Sequence, residues 1–156
     1  MDNKKRNEKI LQLTCELLDK MNFEVEKAFV EDMVDEENQV LVGITVNNPA
    51  LLIGFKGRNL VAVQLVLGLI IRTQVDENIR ILLDVNNYRN EQKDRLKGMV
   101  TNLIEKVIQT GKPVSLANMS SYERRLCHMV VAENDQVMSE SEGEGEERHV
   151  VIKLKV

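Results

Sequence analysis

Aromatic residues are scarce in this chain of 156 residues. It has no tryptophan, three phenylalanines and two tyrosines. A protein that binds nucleic acid mainly by stacking bases needs more rings than this, because each stacked base occupies an aromatic face. We therefore expect any binding of nucleic acid to depend on charge more than on stacking, and to show modest sequence selectivity.

Prolines, glycines and cysteines are also few. Two prolines and eight glycines, in a chain that is 43% hydrophobic, argue for a folded protein and against a disordered one. Cys15 and Cys127 lie far apart in the sequence, and neither belongs to a Cys-x-x-Cys pair. We expect reduced thiols and no structural zinc site.

A long apolar segment is missing too. No hydrophobic run reaches the length that crosses a bilayer without meeting a charged residue, and no apolar signal core follows residues 1–6, of which 4–6 are basic. We expect a cytoplasmic protein without membrane insertion. The P-loop, the nucleophile elbow and the His-Glu-x-x-His motif are also absent, so the sequence predicts neither an enzyme nor a cofactor.

Charge is distributed unevenly along the chain, whose net charge is −4. Residues 1–53 carry six basic and eleven acidic side chains, whereas residues 54–128 carry twelve basic and seven acidic ones. Residues 129–147 contain seven acidic side chains and no basic one. Because a local patch steers a charged ligand, the basic middle of the chain is compatible with binding phosphate.

The first half has the hydrophobic periodicity of a small α/β unit with the order α-β-β-α-α-β. The last of its three predicted helices is apolar on most sides, and we expect it to be deeply buried. The predicted elements are a helix at 6–21, strands at 25–33 and 40–46, a short helix at 50–53, the long helix at 58–73 and a strand at 79–85.

The turn between the two adjacent helices reads Gly54-Phe55-Lys56-Gly57, and Arg58 follows it. Glycines at both ends let backbone N–H groups approach a sugar-phosphate chain, and the next helix directs its positive dipole end to the same place. The motif alone is also typical of a tight turn between helices. In this order of elements, however, it resembles the KH domain of the bacterial topology, which implies a loop that clamps about four nucleotides of single strand.

Phe55 departs from the related loops, which carry polar or basic residues at both middle positions. An exposed phenylalanine is costly unless it has a use. Phe55 either stacks on a base or folds back onto the domain and leaves Lys56 as the only charged residue of the loop. We favour folding back.

The second half changes pattern after residue 85. Its predicted elements are a long helix that ends at Gly111 and Pro113, an extended piece near 114–116, a helix at 120–133, a strand near 136–141 and a last strand at the C-terminus. The chain is therefore predicted to be α+β, with two small α/β-sandwich domains at 1–85 and 86–156. In the second domain a small sheet packs on two helices.

Within this half, Arg124 and His128 stand four residues apart on one helix face. Ser120 and Glu123 match a capping box, which begins the helix just before them. A guanidinium beside an imidazole suits a phosphate oxygen and the edge or face of a base. A solvated face, or a nearby carboxylate partner, is the commoner reason for such a pair.

The second half resembles the single-stranded nucleic-acid-binding domain that is named for its Arg-x-x-x-His signature. Together with the KH-like half it resembles the bacterial Jag family, also called SpoIIIJ-associated proteins, over nearly the whole chain. The resemblance implies that Arg124 and His128 contact nucleic acid, with Arg125, Arg89 and Arg148 as charged support. The motifs that carry it are Tyr88-Arg89, Met119, Tyr122-Glu123-Arg124-Arg125, His128, Ser141-Glu142-Gly143-Glu144-Gly145 and Arg148.

The acidic run at residues 140–147 would repel phosphate. Its carboxylates either anchor Arg124 or Arg148 in a glycine-permitted hairpin, or hold a cation; the spacing does not match an EF-hand loop, and we expect no metal. Instead of supporting a contact with nucleic acid, Arg125 could pair with Glu123 or with an acid of this run. Gln92 stands where relatives often have an arginine, and it interrupts a continuous basic track.

We predict a non-catalytic protein that binds single-stranded RNA through phosphate contacts and acts as a post-transcriptional regulator or RNA chaperone. Single-stranded DNA is an alternative ligand. A second hypothesis is a protein-interaction adaptor linked to the cell envelope, since the Jag family is associated with a membrane-protein insertion factor. A nuclease that uses His128 as a base, with Glu123 or Glu142 nearby, is the least favoured hypothesis.

Overall fold

Two compact units make up the chain in the computed structural model, which describes residues 2–156: one unit extends to Arg89 and the other starts at Asn90. The predicted α+β class and the order of elements are confirmed. The first unit contains α1 (Asn3–Lys20), β1 (Val25–Asp32), β2 (Gln39–Val46), α2 (Pro49–Ile53), α3 (Arg58–Gln74) and β3 (Arg80–Val85). The chain continues with α4 (Tyr88–Thr110), β4 (Val114–Ser115), α5 (Ser121–Ala132), β5 (Val137–Glu142) and β6 (His149–Leu154).

The sheet of the first unit has the order β1-β2-β3, with β1 antiparallel and β3 parallel to β2. Alternating apolar residues of the central strand β2 are buried, as a half-buried strand requires. Phe29 of β1 pairs with Gly43 of β2, and its ring covers the glycine so closely that a Cβ there would lie 2.2 Å from it. The glycine therefore makes room for an aromatic side chain on the sheet.

Helix α3 contributes only one of its faces to the core, so the prediction that it is deeply buried is wrong. Leu60, Val63, Leu67 and Ile71 are buried against α1 and the sheet. The opposite face exposes four large apolar side chains to solvent. They are Val61, Leu65, Val66 and Leu69. The helix is apolar all round, but the unit supplies neighbours on one side alone.

The helical stretch Pro49–Gln74 is long and apolar enough, by length and composition alone, to cross a bilayer. This is weak evidence for a membrane span, because the core helix of a water-soluble domain passes the same test. Lys56 and Arg58 lie inside the stretch, and its backbone turns into the left-handed region at Lys56 and at Gly57. The fold uses the stretch as two helices with a loop between them.

The second unit has a sheet of order β4-β6-β5 in which both pairs of neighbouring strands are antiparallel. Val150 and Ile152 of the central strand pack with residues of α4 and α5. Cys15 and Cys127 are free. Cys127 lies in this core, and burial, followed by the charge of Glu123, raises the pKa of its thiol to about 11.

Leu67 and Leu65 offer a matched test of the one-sided burial of α3, because they lie on the same helix with 1% and 65% exposure. Leu67→Ala should lower the free energy of unfolding by about 2–5 kcal/mol, since it leaves a cavity. Leu65→Ala should change it by less than about 0.5 kcal/mol. Urea denaturation followed by circular dichroism measures both. Equal losses would mean that the outer face of α3 is covered in solution.

Candidate nucleic-acid interface

Left-handed backbone shapes the loop between α2 and α3. Gly54 and Gly57 have φ of 71° and 77°, and Lys56 between them has φ of 52°. The Asn59 side chain fills the space beside Gly54, where a Cβ would come within 2.5 Å of it, and its amide donates to the Leu51 carbonyl over 2.8 Å. Gly54 is therefore required by geometry, Gly57 is favoured by its positive φ, and Asn59 joins α3 to α2 across the loop.

Phe55 points out of this loop with 71% of its surface exposed, so the prediction that it folds back onto the domain is wrong. The left-handed residues turn the backbone at this point, and two cations stabilise the ring where it stands. Lys56 Nζ lies 5.5 Å and Arg58 Cζ 5.9 Å from the ring centroid, within the range of a cation–π contact. The loop thus displays an aromatic ring and two positive charges together.

The Tyr88-Arg89 pair lies in the first unit, although its motif was assigned to the second domain. The Tyr88 ring packs beside Gly57, where a Cβ would lie 3.3 Å from it. Arg89 donates through Nε to the Leu83 carbonyl and through Nη2 to Gln64 Oε1, each over 2.9 Å. Arg89 therefore links α3, β3 and the start of α4. Its contact with nucleic acid stays a prediction.

The predicted capping box at the start of α5 is present. The Ser120 hydroxyl accepts from the Glu123 backbone N–H over 3.3 Å, and the Glu123 carboxylate accepts from the Ser120 N–H over 2.9 Å. This cap fixes the first turn of the helix, from which Arg124 projects. The Arg124 guanidinium donates to the Met119 carbonyl over 3.0 Å and to the Ser121 hydroxyl over 3.1 Å. Both of its partners are uncharged.

We expected the carboxylates of the acidic hairpin to anchor Arg124 or Arg148. They do not hold either arginine. Arg148 donates instead to the backbone carbonyl of Gly143 over 2.9 Å. Gly143 has φ of 86°, and a Cβ there would come within 2.9 Å of the Glu147 carbonyl oxygen. The backbone at Gly143 therefore packs directly against the backbone at Glu147. Glu142, Glu144 and Glu147 remain exposed.

Few basic side chains elsewhere in the described residues have a carboxylate partner. Within residues 2–156 the ion pairs are Arg6 with Asp32 and Lys153 with Glu140. Arg125 is exposed and has neither a hydrogen bond nor an ion pair in the part of the chain that the structure describes, so the alternative pairing with Glu123 or with an acid of residues 140–147 is not formed. In the same part of the chain, no group of three or more His, Cys, Asp or Glu residues is placed to hold a metal ion.

His128 is bound at both of its ring nitrogens by serines of strand β5. Nδ1 lies 2.6 Å from the Ser139 hydroxyl and Nε2 lies 2.7 Å from the Ser141 hydroxyl. A hydroxyl can donate or accept, so the two serines suit either neutral tautomer. Burial first, and then the charges of Arg124 and Arg148, lower the pKa of His128 below its ordinary 6.5. The imidazole is therefore neutral near pH 7 and connects α5 to β5.

An open cavity of about 460 Å³ brings four of the predicted residues together. Three guanidinium groups meet there beside the neutral imidazole, and none of the described residues around the cavity is acidic. Its lining consists of Ser121, Arg124, Arg125, His128, Met129, Ala132, Ser141 and Arg148. The site therefore has a local positive charge although the acidic hairpin follows Ser141 directly in the sequence.

The sequence did not predict a role for the serines of this site: Ser139 was not singled out, and Ser141 was named only as part of a family motif. Ser139 and Ser141 alternate on β5, and the period of a strand directs both side chains to the face that meets His128. That alternation was the available signal, since a strand near 136–141 was predicted. The predicted loop residues 54–58 lie in the first unit, and the cavity residues lie in the second.

Comparison with known proteins gives consistent matches. A family model for the domain named after its Arg-x-x-x-His signature matches residues 94–154. The chain is 31% identical over 148 residues to the RNA-binding protein KhpB of Clostridium symbiosum, which covers 95% of this chain and 66% of the relative. It is 32% identical over 123 residues to the RNA-binding protein KhpB of Bacillus subtilis (strain 168), with coverages of 78% and 59%. The chain thus spans no more than about two thirds of the length of these relatives.

The lowered pKa of His128 predicts a specific response of stability to acid. Because the folded-state pKa lies below that of the unfolded chain, acid protonates the unfolded chain first. The stabilisation is complete above about pH 6.5 and is lost as the pH falls through the folded-state pKa. Urea midpoints of the parent and of His128→Gln should therefore differ most near neutral pH and converge in acid. A constant difference, or an NMR-titrated pKa of His128 at or above its ordinary value, would contradict this account.

Proposed function

The chain belongs to the Jag family, as its motifs predicted, and on that premise we propose that it binds single-stranded RNA with both of its units. The relatives that it matches are named RNA-binding proteins. Binding would rest on contacts between phosphate groups and arginine or lysine side chains, which makes it largely independent of sequence. Single-stranded DNA carries the same phosphates and is the alternative ligand.

The cavity of the second unit is the observation that carries this proposal. Arg124 and Arg148 are oriented by carbonyl and hydroxyl oxygens, so their positive charges are not neutralised by their partners. Arg125 adds a third charge at the rim. A guanidinium held in this way keeps N–H donors for a phosphate and has already lost much of its side-chain freedom. The arrangement supports an anion-binding site better than a solvated surface.

The loop of residues 54–58 supports a second phosphate contact in the first unit. Phe55, Lys56 and Arg58 are exposed there, and helix α3 starts at this point with its positive dipole end. Lys56 and Arg58 add side-chain charges. Arg89 retains less donor capacity for RNA, since Nε and Nη2 are used within the unit.

We further propose that the protein is non-catalytic and cytoplasmic and acts on RNA as a regulator or chaperone. A nuclease would need His128 as a general base. Serine hydroxyls occupy both ring nitrogens, which argues against that role without a rearrangement. The adaptor hypothesis has a different expectation, since an adaptor would form a stable protein complex and the purified chain would not bind RNA.

Charge reversal tests the two phosphate sites. Arg124→Glu and Lys56→Asp should each weaken binding to a fluorescently labelled single-stranded RNA by roughly 10-fold at low salt, because each places a negative charge beside phosphate. Fluorescence anisotropy at several salt concentrations measures the affinity. Parent binding should weaken with salt, and each variant should show a shallower dependence.

Lys5→Asp is the matched control, because Lys5 is exposed on α1 and lies outside both sites. It reverses one charge as well and should bind nearly as the parent does. Parent-like affinity of both site variants at low salt would refute the assignment of these residues. RNA cleavage by the parent that is lost in His128→Ala would favour the nuclease instead.

A further inference from the structure

We propose that Phe55 stacks on an unpaired base while Lys56 and Arg58 contact the adjoining phosphates, so that the first unit holds the base as well as the backbone of a nucleotide. This inference rests on the proposed RNA binding and goes further, because it assigns a contact that phosphate binding does not need. An aromatic face accepts any of the bases, which makes the contact selective for single strands more than for sequence.

The first observation is that the other two phenylalanines have structural uses. Phe23 packs against the core of the first unit, and the Phe29 ring covers Gly43. Phe55 is the most exposed of the three, with 71% of its surface accessible against 47% for Phe29. Folding gains little from an apolar ring that remains in water, because hydrophobic stabilisation grows with the area removed from water. Core packing therefore does not account for the ring.

The second observation is that the loop holds Phe55 in place. Asn59 fills the space at Gly54, and Tyr88 packs beside Gly57, so both ends of the turn are braced. Lys56 between them adopts a left-handed conformation that costs free energy for a residue with a Cβ. A ring on a braced turn has lost much of its freedom before a ligand binds, which favours affinity.

The third observation is the pair of cations close to the Phe55 ring. Lys56 Nζ and Arg58 Cζ both lie within 6 Å of its centroid, at 5.5 and 5.9 Å. A nucleotide presents a flat aromatic base and a negatively charged phosphate a short distance away, and this cluster presents a ring with two cations. Both cations lie over the ring, so a base that stacks on it displaces a cation from that face towards the phosphates of the same strand. Such cations suit a nucleotide better than they suit a purely apolar peptide, whose docking would bury them without partners.

Replacement by tryptophan gives a direct test, because the chain contains none. Phe55→Trp introduces a single tryptophan, whose emission should be quenched when a short single-stranded RNA stacks on it. The matched abasic oligomer has the same phosphates and should bind without this quenching. Leu65→Trp is the control, since it places the fluorophore on the exposed face of α3, where RNA should leave the emission unchanged.

Affinity gives an independent readout. Phe55→Leu keeps an apolar side chain without a π-face, and it should weaken binding of the RNA by on the order of 10-fold while leaving binding of the abasic oligomer unchanged. Phe55→Tyr keeps the ring and should bind as the parent does. Equal effects on both oligomers, or no effect of Phe55→Leu on either, would overturn the inference.

The outcomes separate this inference from the proposed function. If Arg124→Glu weakens RNA binding and Phe55→Leu does not, the proposed phosphate sites are supported and the stacking contact is refuted. If the parent does not bind RNA, both the proposed function and the stacking contact are refuted. A blue shift of the tryptophan at position 55 with anionic vesicles, combined with no response to RNA, would overturn the stacking contact in favour of insertion of this ring into a membrane surface.

Discussion

The hydrogen bonds between the ring nitrogens of His128 and the hydroxyls of Ser139 and Ser141 fix helix α5 against strand β5, and the positive cavity of the second unit depends on that contact. Arg124 lies one helical turn before the histidine, so the orientation of α5 decides where its guanidinium points. Arg148 is set by the hairpin that follows β5. We therefore expect His128 to position the arginines of the cavity that it also lines, and its own contact with nucleic acid stays a prediction.

Neutral anchoring explains how a chain with a net charge of −4 forms a positive site. A carboxylate partner would orient an arginine equally well but would cancel its charge, and phosphate would then have to displace it. Backbone carbonyls and hydroxyls orient the guanidinium groups of Arg124 and Arg148 and leave the charge in place. The acidic residues of the hairpin remain in water, where solvent and salt screen their repulsion of the ligand.

Much of the fold could be predicted from the sequence, because the period of the apolar residues and the capping box are local signals. Both sheets, the five helices and the start of α5 follow from such signals. The exposed face of α3 could not be predicted, since apolar composition does not reveal which side has neighbours. The same limit applies to Phe55, whose direction depends on left-handed residues and on Tyr88 from a distant part of the chain. The hydrogen-bond partner of Arg148 could not be predicted either, because it is a backbone carbonyl, and every residue has one whatever its side chain.

In the proposed function, charge and stacking have different parts in the recognition of RNA. Phosphate groups occur in duplexes as well as in single strands, so the proposed contacts around Arg124 would give affinity and salt dependence without distinguishing the two. The faces of bases are covered by stacking in a duplex and are available in loops and unpaired strands. A preference for single strands must therefore come from a group that uses a free base, and the exposed ring of Phe55, with its two adjacent cations, is suited to that role.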